Sequence, residues 1–324
     1  MINPRNIRAS TFNPFPESQF FRLREMSPRV WLVTGANSGL GLALVEHALA
    51  QGDQVIAAVR NPASIPNSIK AAKPLILDLN ASDSDIQRAG KAALEIYGRV
   101  DVLVNNAGYC LTGYVEEVQD ADIKHEFQTN FFGAISLTQS LLPAFRDQRS
   151  GYILNLSSVA GIDGHPPFAM YNASKAALEA MTEALHTELL PFNVTALIIE
   201  PGYFPTNFWS SADASRIPRA RLTGAYPETD SLFNTMPKKK LEEKQVGDRR
   251  KAVARIFELV SGTGYYAQQN VNTKFVRVVL GPDAGTRIQS KLKLILENVD
   301  GTEQVWRSTN MDEETLEKYA RGEY

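Results

Sequence analysis

Charge-free apolar runs alternate with stretches of helical period along most of the chain. Val30–Trp31–Leu32–Val33 leads at once into Thr34–Gly35. Leu40, Leu44, Val45, Ala48 and Leu49 then recur at helical spacing until Gly52, which predicts a strand followed by a helix from Leu40 to Ala50. Gln54–Val59 reads as a second strand ending at Arg60, and Pro74–Leu77 as a third ending at Asp78. Ile86 to Tyr97 reads as a helix closed by Gly98, and Val100 to Val104 as a fourth strand. Asp122 to Phe145 reads as one long helix with Pro143 in its last turn. Gly151–Leu156 is a strand, Met170–Leu190 a second long helix, and Val194–Ile199 a strand that runs into Glu200–Pro201. Strands bare of charge and separated by helices are buried on both faces, so the fold class is α/β, with a doubly wound parallel sheet flanked by helices.

From Tyr203 to about Glu243 the pattern dissolves, with Trp209, Tyr226 and Phe233 set among polar residues. About 40 residues build a poor core alone, so residues 203–246 read as a substrate-covering insertion and not as a domain. Asp248 to Val260 is a helix and Phe275 to Leu280 the last strand; Gly281–Pro282 turns the chain away before a helix from Gln289 to Leu296. One body over residues 28–300 is expected, followed by a polar, acidic, peripheral tail over 301–324. Residues 1–27 read as an N-terminal arm or tail, because Pro4, Pro14 and Pro16 interrupt any helix. Phe12, Phe15, Phe20 and Phe21 favour an arm packed on the body; Arg5, Arg8, Arg22 and Arg24 keep a presequence open, against Glu17 and Glu25.

Composition narrows the function classes. Among 324 residues, 34 basic side chains balance 36 acidic ones for a net charge of -2, which argues against nucleic acid as a partner. No run approaches the roughly 18 apolar residues of a membrane span. The single cysteine, Cys110, excludes an internal disulfide and any multi-cysteine metal site, and fits a reducing, cytoplasmic location. The histidines at 47, 125, 165 and 186 have no metal-binding spacing, so no metal is expected.

The stretch Thr34–Gly35–Ala36–Asn37–Ser38–Gly39–Leu40–Gly41 lies between the first strand and the first helix. Glycine permits the sharp turn and lets a pyrophosphate approach the main chain, while the N–H groups at the helix start face the anion. Gly41 lets the helix pack closely on the sheet. Strand before and helix after are the setting that a dinucleotide site requires. At the end of the second strand stands Arg60, with no carboxylate to repel a 2′-phosphate, and its guanidinium can pair with one. The cofactor expected is therefore NADP(H) over NAD(H), although Asn37–Ser38 offers no second basic residue.

The spacing Thr-Gly-x-x-x-Gly-x-Gly resembles that of the classical short-chain dehydrogenase/reductase family, whose fold is Rossmann-like. Within that resemblance, Asp78 matches the aspartate that accepts the adenine amino group, though it also suits capping the next turn. Asn105–Asn106–Ala107–Gly108 matches the Asn-Asn-Ala-Gly element that supports the sheet and lines the adenosine side. Pro201–Gly202 matches a Pro-Gly that precedes a nicotinamide-contacting threonine, here Thr206, with Pro205 where many relatives carry a basic residue. Gly281–Pro282–Asp283–Ala284 is similar to the subgroup near hydroxysteroid dehydrogenases and fungal or bacterial ketoreductases.

Proton-transfer chemistry has its own residues. Tyr171 and Lys175, four apart at a helix start, share a face, and an ammonium beside a phenol lowers the phenol's pKa from about 10. Ser158 can hold a carbonyl or alkoxide oxygen, as hydride transfer requires. The resemblance makes Tyr171-Asn-Ala-Ser-Lys175 the Tyr-x-x-x-Lys signature, selects Ser158 over Ser157 by its place thirteen residues before the tyrosine, and assigns Asn130 to a water-linked proton relay. It also gives Lys175 the nicotinamide ribose. Cys110 reads as a buried small residue near the site and not a nucleophile.

Substrate is expected at the carboxyl ends of the strands, lined by His165 and Phe168 before the tyrosine and by Phe204, Phe208 and Trp209 after the sixth strand. These apolar groups, with no arginine cluster beside them, favour a hydrophobic ketone or alcohol. The Lys238–Lys240 run reads as a solvated face. Reduction of an imine or an activated C=C, and a non-catalytic nucleotide-binding sensor or scaffold, are the alternatives; retention of Ser158, Tyr171 and Lys175 weighs against the last. Relatives pair as homodimers or homotetramers through their two long helices, and the resemblance implies the same here.

Overall fold

The computed structural model describes residues 28–206, 221, 223–226, 246–268 and 275–323. The strands are β1 (Val30–Thr34), β2 (Gln54–Val59), β3 (Lys73–Ile76), β4 (Val102–Asn105), β5 (Gly151–Leu156), β6 (Val194–Pro201) and β7 (Arg277–Leu280). They form one parallel sheet in the order β3-β2-β1-β4-β5-β6-β7. The order reverses between β1 and β4, and the crevice above that switch point is where a doubly wound sheet takes its ligand.

The helices are α1 (Gly39–Ala50), α2 (Asp83–Tyr97), α3 (Asp120–Phe127), α4 (Gly133–Gln148), α5 (Ala169–Leu189), α6 (Arg249–Ser261), α7 (Gly264–Gln268), α8 (Pro282–Gly301), α9 (Glu303–Arg307) and α10 (Glu313–Ala320). Alternate residues of the strands enter separate cores on the two faces. Trp31 and Val33 join Leu44, Val45 and Phe257 on one side, while Val30 and Leu32 join Ile86, Leu137 and Phe145 on the other. Trp31 is fully buried, stacks on Phe257 at 5.7 Å and donates its indole N–H to Asp53 at 2.8 Å. A central strand can carry tryptophan in this way because the polar tip finds an acceptor at the strand's edge.

Three expectations need correction. The stretch expected as one helix from Asp122 to Phe145 is α3 and α4 joined by a π-helical turn, Gln128–Phe132. One extra residue per turn leaves the apolar period almost intact, which is why the pattern hides it. Gly133 follows because an added Cβ would lie 2.7 Å from both Cβ and O of Leu79. Pro143 lies inside α4, which continues to Gln148 and closes on Arg149 in the left-handed region. Finally, Gly281–Pro282 starts a helix instead of turning the chain away. Gly281 takes φ 100 before α8, and Pro282 fills its first turn, where its missing N–H costs nothing.

Beyond Ile288 no residue of α8 is buried, and none is in α9 or α10. Among the described residues no helix is long and apolar enough to cross a membrane. Residues 1–27 and most of the 203–246 stretch, with Phe208, Trp209, Phe233 and the 238–240 lysines, lie outside the described residues.

Candidate active site

A cleft of about 1540 Å³ runs over the carboxyl ends of the strands, from Arg60 at one end to Tyr171 and Arg287 at the other. Gly35, Asn37, Ser38, Gly39 and Leu40 form part of its floor. Gly35 and Gly39 have φ of 64 and 58, a left-handed conformation that turns the chain from β1 into α1. Ser38 is the N-cap of α1 but makes no side-chain cap bond, so the first N–H groups of that twelve-residue helix stay free to face an anion. Gly41 is not part of the cleft wall. A Cβ there would collide with Asn106 Nδ2 and lie 2.5 Å from Gly35 O.

Asn106 locks the turn from the next strand. Its Nδ2 donates to Thr34 O at 2.8 Å, and Thr34 Oγ1 accepts the N–H groups of Asn106 and Ala107 at 3.0 and 2.9 Å. Ala107 and Gly108 carry the cleft wall onward. Asn105 instead points into the sheet and donates to Asn155 Oδ1 and Thr138 Oγ1 at 2.7 and 3.0 Å. Arg60 is exposed and lines the cleft just past β2. Asp78 also lines it, and its Oδ1 caps the following turn by accepting Asn80 N–H at 2.9 Å.

At the other end, β5 delivers Ser158 and the first turn of α5 delivers Tyr171. The two hydroxyls are hydrogen-bonded, and Ser158 Oγ also accepts Ala160 N–H at 3.2 Å. Lys175 is buried one turn on; its Nζ donates to Leu156 O at 2.7 Å and stands 5.8 Å from the Tyr171 ring centroid. Asn130 sits in the π turn behind the cleft wall, accepting Tyr109 N–H at 3.1 Å and donating to Tyr109 O at 2.9 Å and Ser174 Oγ at 3.1 Å. A Cβ on Gly108 would meet both Asn130 Oδ1 at 3.0 Å and Lys175 Nζ at 3.5 Å, so glycine leaves these polar groups room beside the cleft.

Burial dominates the electrostatics here. It raises the Tyr171 phenol above its ordinary range, helped by Cys110 and opposed by the Ser158 hydrogen bond. It also lowers Lys175 to about 8, against the carboxyls of Glu126 and Glu179. The expectation that Lys175 draws the phenol's pKa down is therefore not met, since burial of the phenol dominates its shift. Cys110 is buried behind Tyr171, and burial pushes its thiol up, which suits packing and not nucleophilic attack.

His165 and Phe168 also line the cleft; Phe168 packs with Tyr171 and Cys110. His165 Nδ1 lies 2.7 Å from Pro166 O. Phe204 reaches the wall but is buried in the same core as Trp31. Pro201, Gly202 and Thr206 line the cleft, and Thr206 approaches the turn so closely that a Cβ on Gly39 would sit 3.7 Å from it.

Three groups escaped sequence reasoning. Arg287 of α8 stands in the wall and pairs with Asp163 at 2.8 Å, its guanidinium 5.7 Å from the Tyr203 ring centroid. Ser157 donates to Glu179 at 2.5 Å, and Arg277 joins Glu179, Glu183 and Glu200 beneath the site. Glu126 is wholly buried near Lys175. A single helical glutamate carries no motif, and the other contacts bridge distant segments; only an alignment of related sequences could have singled these residues out.

A model of the short chain dehydrogenase family matches residues 29–216. Over 281 residues the chain is 35% identical to the oxidoreductase calM of Penicillium decumbens, covering 83% of this chain and 89% of that protein. It is 33% identical over 237 residues to a 3-ketodihydrosphingosine reductase of Bacteroides thetaiotaomicron, covering 73% and 85%. A short-chain dehydrogenase structure from Streptomyces avermitilis superposes with a TM-score of 0.76 at 34% identity, covering 88% of this chain and all of that one.

Proposed function

The chain belongs to the short-chain dehydrogenase family, and from that we propose that it is an NADP(H)-dependent oxidoreductase that reduces the carbonyl of a hydrophobic substrate or oxidises the matching secondary alcohol. The observation that carries this reading is one cleft holding both the glycine turn and the Ser158–Tyr171–Lys175 group. The cradle fits a dinucleotide: Gly35 and Gly39 have left-handed φ, and the α1 N–H groups are free.

Residues 35 and 37–40 would hold the pyrophosphate, Arg60 the 2′-phosphate, Asp78 the adenine, Thr206 the nicotinamide amide and Lys175 the nicotinamide ribose. Bound NADPH supplies a hydride to the carbonyl carbon. Ser158 and Tyr171 hold the carbonyl oxygen between their hydroxyls, and Tyr171 gives it a proton. Its burial keeps that proton available. Lys175 stabilises the phenolate left behind, and Asn130 helps return the proton from solvent.

Arg60 supports NADP(H) over NAD(H), because it directly follows β2 with no carboxylate at that strand end. Phe168 supports an apolar substrate, as does the name of the 3-ketodihydrosphingosine reductase among the relatives. The Arg287 guanidinium does not argue for an anionic one, since Asp163 already pairs it. The exposed alanines of α5, Ala173, Ala176, Ala180 and Ala184, support pairing of two copies through the long helices, and the lone cysteine supports a reducing, cytoplasmic setting.

Titration with NADPH and NADH, followed by nicotinamide fluorescence, tests the cofactor site. A ketone and alcohol panel with Tyr171→Phe as control tests the chemistry. Failure of the folded protein to bind either nucleotide would overturn the oxidoreductase reading.

A further inference from the structure

Helix α5 grips the end of β5 at several levels, and one of those grips has no task in the scheme above. Asn155 Nδ2 donates to Thr182 Oγ1 at 2.8 Å, Lys175 Nζ to Leu156 O at 2.7 Å, and Asn172 Nδ2 to Ala160 O at 2.7 Å. Among these contacts Ser157 Oγ donates to Glu179 Oε1 at 2.5 Å, and both residues are buried. Tyr171, Lys175 and Glu179 are spaced four apart, so they share the helix face that meets the strand end.

Ser157 stands where the chain leaves the sheet. Its N–H still donates to Ile199 O of β6 at 2.8 Å, whereas Ser158 O already accepts Gly161 N–H at 2.9 Å in a turn. The backbone at Ser158 is extended, so the two serine side chains point to opposite sides: Ser158 meets Tyr171, and Ser157 turns to α5. Glu179 is itself held from the far side, because its Oε2 takes Arg277 Nη1 of β7 at 2.7 Å. A carboxylate accepts from two donors at once, one on each oxygen, so two charge-assisted bonds tie Ser157 to β7 through Glu179. The turn packs over this bond: a Cβ on Gly161 would collide with Glu179 Oε1 and lie 3.0 Å from Ser157 Oγ. Holding α5 on the sheet does not require the link, since Thr182 and Lys175 already bond β5. What it adds is a fixed place for the residue next to Ser158.

We propose that Ser157 and Glu179 are positioning residues for the reaction: the buried bond between them fixes the end of β5 so that the Ser158 hydroxyl stands against Tyr171 where both can hold one carbonyl oxygen. Both act through Ser158, and neither takes part in the transfer of hydride or proton. Two hydroxyls converging on one oxygen tolerate little error, since a displacement of about 1 Å costs on the order of a hundredfold in rate.

The proposal rests on the reading of Ser158 and Tyr171 as the groups that hold the carbonyl oxygen. Its test is steady-state ketone reduction by the full chain with NADPH, each rate normalised to the NADPH sites counted by fluorescence titration. Ser157→Ala removes one atom and should lower kcat by about tenfold or more, with KM for the ketone and NADPH affinity within about twofold of wild type. Ser157→Thr keeps the hydroxyl and should recover most of the rate. Glu179→Ala should lose as much as Ser157→Ala, and the double variant no more than either, because both remove the same bond. In a Ser158→Ala background, Ser157→Ala should change the residual rate by less than about twofold, since the residue it acts through is gone. A merely structural loosening would still cost its full factor there.

A wild-type kcat in Ser157→Ala, a Thr variant as slow as Ala, or a full further loss in the Ser158→Ala background would overturn the proposal and leave the oxidoreductase reading standing. Should Glu179→Ala not fold, the Ser157 variants decide alone. A wild type that binds nucleotide but turns over no ketone or alcohol would overturn the oxidoreductase reading, and the proposal with it.

Discussion

Asn106 and Gly41 are locked against each other. The amide that donates to Thr34 O at 2.8 Å occupies the space a Cβ at position 41 would need. Gly41→Ala should therefore push Asn106 off Thr34 and Gly35 and open the turn from the side. The overpacking cost is about 1–3 kcal/mol of stability. NADPH affinity should fall by at least about tenfold, because the amides that face the pyrophosphate lose their preset geometry. Thermal unfolding and nicotinamide fluorescence titration measure the two effects separately.

Arg60 lines the cleft at the end of β2 and is exposed, so its removal should leave the fold intact. A hydrogen bond to a charged group contributes about 1.5–3 kcal/mol, which corresponds to a roughly 10- to 150-fold change in affinity. Arg60→Ala should weaken NADPH by an amount in that range and change NADH by less than about twofold. Equal loss for both nucleotides would mean that the guanidinium stacks on adenine and does not read the phosphate.

Tyr171→Phe keeps the ring that packs against Cys110 and Phe168 and removes only the acidic proton. Ketone reduction should drop by about 10²–10⁴-fold with NADPH binding retained, the usual contribution of a placed general acid. In the wild type, the phenol's raised pKa keeps it protonated on the alkaline side, so the basic limb belongs to Lys175. Reduction should decline as pH rises through about 8, where the ammonium is lost. Steady-state kcat/KM across pH checks the limb, and a rate that stays flat beyond it would remove Lys175 from the scheme.

The sheet was legible because its strands are buried on both faces, so Val30–Val33 and Val55–Val59 carry no charge to confuse the period. Much of the cleft was legible because Gly35, Asn106, Ser158 and Tyr171 each stand just beyond a strand or at a helix start, within a few residues of a recognisable pattern. The Arg287–Asp163 pair joins residues 124 apart through the fold alone, and neither has a local signature. The π turn at Asn130 hides within a helical period, and Glu126 looks like any polar position on a helix face. Nor could sequence show how strongly burial acts on Tyr171 and Lys175, since desolvation depends on what packs around them.

Arg277 stands among three carboxyls, with Glu179 at 2.7 Å, Glu183 at 2.8 Å and Glu200 at 2.5 Å. One guanidinium cannot neutralise all three, and Glu200, fully buried, is raised from 4.5 to about 7 by burial and by Glu179, against the pull of Arg277. Between those values the native state holds a proton that the unfolded chain has released, so stability falls as pH rises. The contribution is complete below about 4.5 and gone once pH passes about 7. Glu200→Gln removes the proton linkage and leaves Arg277 its two other carboxyls. Relative to wild type, the variant should gain about 1–2 kcal/mol between pH 5 and pH 8, after allowance for coupling among the three acids. Urea denaturation of both proteins at the two pH values measures the difference; a constant gap would show that Glu200 is ionised throughout.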